Sequence, residues 1–295
     1  MKAKRVGVIG VPGGWSSELL ADAVARRTGS RHLFDLETVA LDLELGIVSD
    51  ANGLLLNDFD ALIVKKAGTW YSPHLLDRLE ILRFLSERGV RVFSDPLRIL
   101  RVLDRMSCTV ALRLGHIPMP PTAITENVDK AVHYVQLYEK AIFKPLYSTK
   151  ARGMEVIESG PDARTRIEAF HKDNAVMYIQ KLVDHPGRDM GVAFLGGKYL
   201  ATYARTGSKD SWNTTTRSGG KYQPCQPVDE ILALADRAQR IFGLDFTCVD
   251  VVETPDGPKV FEVSAFGGFR GLLEANGIDA ASLYVDYVRD QLAAS

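Results

Sequence analysis

Long apolar runs are missing from this chain of 295 residues, and none comes near the roughly 20 residues that a membrane-spanning helix needs. The apolar stretch after Met1-Lys2-Ala3-Lys4-Arg5 is broken within a few residues by Gly10 and Pro12, too soon for a secretory signal. Cysteine is scarce and odd in number: Cys108, Cys225 and Cys248 stand far apart without CxxC spacing, which points to a reducing compartment and predicts a cytoplasmic protein. The six histidines form no HxxH or HExxH cluster, so a zinc centre is not expected. Excess charge is absent too, with Lys+Arg 36 against Asp+Glu 37, so no bulk field draws the chain to nucleic acid or an anionic membrane. The P-loop pattern GxxxxGK[ST] does not occur, and there are no repeats.

What is present is a globular composition, 46% hydrophobic and 25% charged, enough for two or three structural units. Arg5 to Gly10 reads as a buried strand that runs through Val11-Pro12-Gly13-Gly14 into a helix from Ser16 or Ser17 to about Arg27. Asp60–Lys65 and Val90–Phe93 read as further strands around a helix opened by Ser72-Pro73 and closed by Gly89. Strand, helix, strand in that order predicts a parallel sheet. A helix is predicted from Leu97 to Leu114, ended by Gly115, with Ile117 to Thr122 as an extended linker. Hairpins follow: Val192–Leu195 and Lys198–Ala201 flank Gly196-Gly197, and a helix over Val228–Phe242 precedes another strand pair. The fold class is therefore α/β followed by α+β.

That last strand pair carries the chemistry. Phe246–Val252 and Pro258–Val263 flank Thr254-Pro255-Asp256-Gly257, and a turn centred near Asp256 makes Asp250 and Glu262 direct cross-strand partners. Like charges so placed repel, and neither ionises comfortably among valines without compensation. A divalent cation with phosphate oxygens completing its shell is the natural remedy. The bland alternative, one carboxylate facing water from an edge strand, suits a lone acid better than two in register.

Lys144 interrupts the apolar strand Ala141–Phe143 and precedes a loop holding Ser148, Thr149, Lys150, Arg152 and Gly153, a combination able to cover a phosphate. The loop from Tyr147 to Gly153 has little apolar surface to anchor it and reads as a candidate lid. Tyr178–Val183 is a strand running out into Asp184-His185-Pro186-Gly187-Arg188-Asp189; its edge suits adenine and a nearby carboxylate a ribose, although an ordinary edge strand reads equally well from these residues alone. The glycines at 10, 13 and 14 fail GxGxxG, which leaves a dinucleotide-dependent oxidoreductase as a minor alternative.

Taken in order, these pieces resemble the ATP-grasp superfamily, in particular RimK-like carboxylate–amine ligases. The matching residues are Leu103-Asp104-Arg105, Gly115 to Thr122, Lys144-Pro145-Leu146, Gln180 to Val183, Gly187-Arg188-Asp189, Gly196-Gly197 with Arg205, Trp212-Asn213 before Gly219-Gly220, and Asp250 with Glu262-Val263-Ser264. The resemblance covers about 95 to 290. It implies an N-terminal α/β domain over 1–95 and an ATP-grasp region over 96–295, with a central lid subdomain near 122–183 and a C-terminal subdomain near 184–295. ATP lies between the two subdomains, contacted by Arg105, Lys144, Ser148, Thr149, Gly153, Gln180, Lys181, Leu182, Val183 and Asp189. Asp250, Glu262 and Ser264 hold Mg²⁺, with Mn²⁺ as an alternative ion. Arg205, Asn213 and Arg270 face the acyl phosphate formed from a substrate carboxylate before an amine attacks it.

Departures qualify the pattern. Arg105 stands where the family usually has lysine, Ser264 where it has asparagine, and Gly191 where it has a substrate-contacting arginine. A catalytically silent nucleotide-binding regulator is the alternative these changes raise; retention of Lys144, Asp250 and Glu262 argues against it. With Trp70, Tyr71, Trp212, Phe266 and Phe269 available for stacking, the variant is similar to ligases that add glutamate or a similar amino acid to pterin or furan C1-carrier cofactors. The implied partners are a small-molecule carboxylate and amine, with no nucleic acid or membrane, and homo-oligomeric assembly is compatible with the family.

Overall fold

The computed structural model describes residues 4–149, 151–207 and 220–294. Four apolar residues, all buried, make β1 (Val6–Ile9); α1 (Trp15–Thr28) follows and stops at Gly29, which takes the left-handed conformation (φ 78°) and returns its amide to Ala25. Then come β2 (Leu33–Phe34), a small hairpin of β3 (Ala40–Asp42) and β4 (Ile47–Ser49), the fully buried β5 (Ala61–Val64), α2 (His74–Glu87) and β6 (Arg91–Phe93). β2-β1-β5-β6 form a parallel sheet, as strand–helix alternation requires.

The single helix expected from Leu97 to Leu114 is two helices, α3 (Pro96–Leu103) and α4 (Arg105–Leu114). Asp104 breaks them: its backbone is extended (φ −80°, ψ 116°) and its carboxylate caps α4 by accepting from the amides of Met106 and Ser107. The break turns Arg105, the first residue of α4, toward the site.

A second sheet is antiparallel. It contains β7 (Thr122–Thr125), then after α5 (Val128–Tyr138) β8 (Lys140–Lys144) and β9 (Glu155–Glu158), and after α6 (Ala163–Asp173) β10 (Met177–Lys181), in the order β7-β10-β8-β9. β10 is thus flanked on both sides, and the reading of it as an edge strand is corrected. Its two helices close a separate core around Val135, Phe143, Ile167, Phe170 and Ile179.

The third sheet is formed by β11 (Arg188–Leu195), β12 (Lys198–Thr206), β13 (Lys221–Pro224), then, after α7 (Asp229–Arg240), β14 (Phe246–Thr254) and β15 (Gly257–Ser264), in the order β13-β12-β11-β14-β15. Gly196 and Gly197 both have positive φ (57° and 74°), the conformation a two-residue hairpin needs and side chains resist. α8 (Phe269–Asn276) and α9 (Ala280–Ala293) complete the chain, α9 packing back on α1. One hydrophobic core runs from α2 through α3 and α4 to α7, β14 and β15, tying the first sheet to the third. Among the described residues no helix is long and apolar enough to cross a membrane.

Candidate active site

A cavity of about 340 Å³ opens between the second and third sheets, with Lys66 and Tyr71 of the first unit on its wall. Its floor is a grid set by strand register. One row across the third sheet reads Tyr203, Gly191, Asp250, Glu262, and the next reads Tyr222, Arg205, Asp189. Because partners in register share a face, the two acidic residues do converge.

The register arises differently from expectation. The turn is Pro255-Asp256, with Thr254 opposite Gly257, and regular pairing from there would place Phe261 opposite Asp250. A β-bulge between Val260 and Glu262 adds Phe261 as an extra residue and restores Glu262 to the position facing Asp250. Val260 and Val263 are consequently buried in the core, whereas Phe261 and Glu262, adjacent in sequence, both line the cavity.

Each carboxylate meets an arginine. Asp250 accepts from Arg205 at 2.8 Å, and Arg205 also grips Asp189 with both ends of its guanidinium. Burial pushes the Asp250 carboxyl up to about 7, with Arg205 opposing and the charges of Glu262 and Asp189 reinforcing. Glu262 pairs with Arg105 at 3.3 Å. Arg105 in turn donates to the carbonyls of Pro145 and Ser148 and to the Ser148 hydroxyl, all at 3.2–3.4 Å, so it staples the loop after β8 to the acidic pair.

Lys144, at the end of β8, is buried and donates to the Gln180 side-chain oxygen at 2.6 Å. Burial, aided by the Arg105 charge and opposed by Glu262, pushes its ammonium down to about 7. Gln180 is fixed in turn by its amide nitrogen donating to Thr122 at 3.0 Å. Gln180, expected in a nucleotide hinge, thus acts through its side chain on the lysine. Lys181, Leu182 and Val183 line the cavity beyond it, with the amides of Lys181 and Leu182 already bonded to the carbonyls of Pro121 and Lys140.

Ser148, Thr149, Asp189 and Ser264 line the cavity as well; Ser264 stands opposite Cys248, and its hydroxyl accepts from the Phe266 amide at 3.4 Å. Gly153 (φ 67°) shapes the loop's return without lining the cavity, and a Cβ there would come within 3.1 Å of Pro145. Arg152 lies over the exposed Trp70 ring at 5.0 Å. Arg270 is placed elsewhere: its guanidinium covers Trp15 at 4.8 Å and faces Glu274, outside the residues that line the cavity. Asn213, with Lys150, Trp212 and Gly219, lies outside the described residues. The glycines at 10, 13 and 14 do not line the cavity either; the turn is closed by the Val11 amide donating to Ser17.

Sequence reasoning passed over Lys65, Lys66, Tyr203, Tyr222 and Phe261. Tyr203 and Arg205 alternate along β12, a period-2 signal that was available; the bulge that exposes Phe261 left none. Lys65 is buried, donates to the Phe266 carbonyl at 2.5 Å and sits 3.8 Å from the Phe269 ring centre, tying the first sheet to the glycine-rich loop beside Ser264.

Among the described residues no group of three or more metal-ligating side chains converges. Two hard oxygen donors crowded in register fit an ion such as Mg²⁺ that takes its remaining ligands from phosphates and water.

Residues 95–288 match the family model described as RimK-like ATP-grasp domain. The tetrahydromethanopterin:alpha-L-glutamate ligase of Methanosarcina acetivorans is 24% identical, over 98% of this chain and 100% of that protein. That of Methanocaldococcus jannaschii is 26% identical, over 79% and 80%. In three dimensions the chain is similar to the ATP-grasp ligase PsnB complexed with a phosphomimetic variant of its minimal precursor, Mg and ADP, with a TM-score of 0.75 at 18% identity over 98% and 99% of the two chains.

Proposed function

Because the chain belongs to the RimK-like ATP-grasp family, we propose that it joins the amine of glutamate to a carboxylate of a pterin-type C1-carrier cofactor, with Asp250 and Glu262 holding Mg²⁺ and Lys144 meeting the ATP phosphates. The protein is an ATP-dependent carboxylate–amine ligase with an ATP-grasp fold. The observation that carries the finer reading is the convergence, in one cavity between two sheets, of a buried lysine with two carboxylates in cross-strand register. The pterin and glutamate assignments rest on what the archaeal relatives are named for.

Phosphoryl transfer needs positioning and charge neutralisation more than a protein nucleophile. When bound, Mg²⁺ supplies positive charge against the phosphate oxygens. Lys144 adds a second positive group, held in place by Gln180 so that little ordering is left to do. Arg105 keeps the loop bearing Ser148 and Thr149 against Glu262, which encloses the phosphate end. Arg205, clamped between Asp189 and Asp250, presents its guanidinium where an acceptor carboxylate would meet the metal site. Exclusion of water by that loop favours the amine over hydrolysis of the acyl phosphate.

The decisive assay supplies Mg-ATP, glutamate and a tetrahydropterin with a free carboxylate. Formation of ADP with one glutamyl product per ATP is expected by mass analysis. ADP at background with no glutamyl product would overturn the reading.

A further inference from the structure

Lys65, which directly follows the last residue of β5, is only 2% exposed. A lysine is almost never buried so far unless a charge of opposite sign accompanies it. Among the described residues no carboxylate pairs with Lys65, and burial, reinforced by the neighbouring Lys66 charge, pushes its ammonium down to about 7. A carbonyl and a ring hold it instead: Nζ donates to the Phe266 carbonyl at 2.5 Å and lies 3.8 Å from the centre of the Phe269 ring. Both contacts fall on the stretch that joins β15 to α8, of which Phe266, Gly267 and Gly268 line the cavity. Phe266 is gripped from two sides, its amide by the Ser264 hydroxyl at 3.4 Å and its carbonyl by Lys65. Gly267 and Gly268 bring no side chains to anchor the stretch. A Cβ at Gly267 would come within 2.9 Å of the Ser264 hydroxyl, and Gly268 has a φ of 97°.

From this geometry we infer that Lys65 is a positioning residue for ligation, kept at a cost in folding stability so that the first unit fixes the cavity wall from Phe266 to Gly268. A tie that served folding alone would be better made by an apolar side chain, because replacing a buried charge by an apolar group of similar size is commonly neutral or stabilising. The Phe266 carbonyl would lose its partner, but the desolvation of an uncompensated ammonium is the larger of the two effects. Stability and activity should therefore move in opposite directions when Lys65 is neutralised. Lys65 touches neither of the two carboxylates and none of the residues proposed to meet ATP, so its effect on the reaction passes through the wall it holds. This role presupposes the proposed reaction, whereas the tie itself can be read without substrate.

Lys65→Met in the full chain, which nearly keeps the length of the side chain and removes its charge and its donor, tests this with three readouts. Its melting temperature should equal or exceed that of the wild type, and its affinity for Mg-ADP should be unchanged. Hydrogen exchange of the amides from Phe266 to Leu273, measured without substrate, should quicken by roughly tenfold, the worth of one hydrogen bond from a charged group, while exchange in β14 stays as it was. With glutamate and a tetrahydropterin acceptor at saturating Mg-ATP, kcat should fall by roughly tenfold or more, as for residues that orient a site from behind. A variant that fails to fold or melts lower, exchange that does not quicken, or a kcat at the wild-type level would each overturn the assignment. A wild type that makes no glutamyl product would sink the proposed reaction and leave exchange and melting to decide on Lys65.

Discussion

Asp250 and Glu262 differ in what they give up when neutralised. Asp250→Asn leaves Arg205 its other partner, Asp189, and Glu262→Gln frees Arg105 only from a half-exposed carboxylate. Folding stability should therefore change by no more than about 1 kcal/mol, because no buried charge loses all compensation. Turnover should fall by more than the roughly 10–100-fold typical of a supporting residue, since each change would remove one of the two proposed metal ligands. Near-normal activity in Mg²⁺ together with an unchanged melting curve would remove the metal assignment. Lys144 yields a pH prediction. Its folded value of about 7 lies below the ordinary 10.5, so between these limits the unfolded chain binds more protons and stability of the free protein rises with pH. Phosphates favour the charged lysine, so at pH 8 nucleotide binding should take up a proton and weaken as pH rises further. Calorimetry in buffers of different ionisation enthalpy reads this directly; Lys144→Met should abolish the uptake, and no uptake in the wild type would contradict it.

At the scale of elements, the short step between α3 and α4 links local capping to the site. Asp104→Ala removes the acceptor for two amides at the start of α4 and should cost about 1 kcal/mol in urea denaturation. The same change loosens Arg105, which joins Glu262 to the loop at Ser148, so the KM for ATP should rise by roughly tenfold, the lower end of the 10–100-fold range of supporting residues. A stability loss without any effect on ATP would confine Asp104 to a structural role. The β14–β15 hairpin illustrates how far the sequence was legible. Its strands, its turn and the pairing of Asp250 with Glu262 could be read from apolar runs and Asp256-Gly257. The bulge that creates this pairing could not, because an extra residue in one strand is chosen by packing, here by the burial of Val260 and Val263 on the far face.

Over the whole molecule, the hydrophobic cores divide unequally. The first and third sheets share one core through α3 and α4, whereas the second sheet closes its own around Phe143, Phe170 and Ile179. The second sheet should therefore open as a separate unit in native-state hydrogen exchange. Mg-ATP, which would bridge it to the third sheet, should protect residues of β8 and β10 and of the loop from Tyr147 to Thr149. At a hundredfold excess over Kd that protection should approach about 2.7 kcal/mol. Identical exchange in the second and third sheets, with no response to nucleotide, would show that the molecule opens as one body and that the loop is no lid.

The sequence by itself determined the local order of strands and helices, the glycine turns and the presence of lysine and paired carboxylates in apolar surroundings, because hydrophobic period, turn chemistry and side-chain type act over a few residues. It even carried the family, through the order of those pieces. Tertiary structure alone decided what each group faces. Arg205 is clamped by carboxylates from two other strands, Gln180 holds Lys144 across a sheet, Arg270 is drawn away to Trp15, and Tyr203 fills the space that Gly191 and Gly271 leave. These are contacts between residues distant along the chain, and their geometry is fixed only when the sheets have packed and brought these polar groups to their partners.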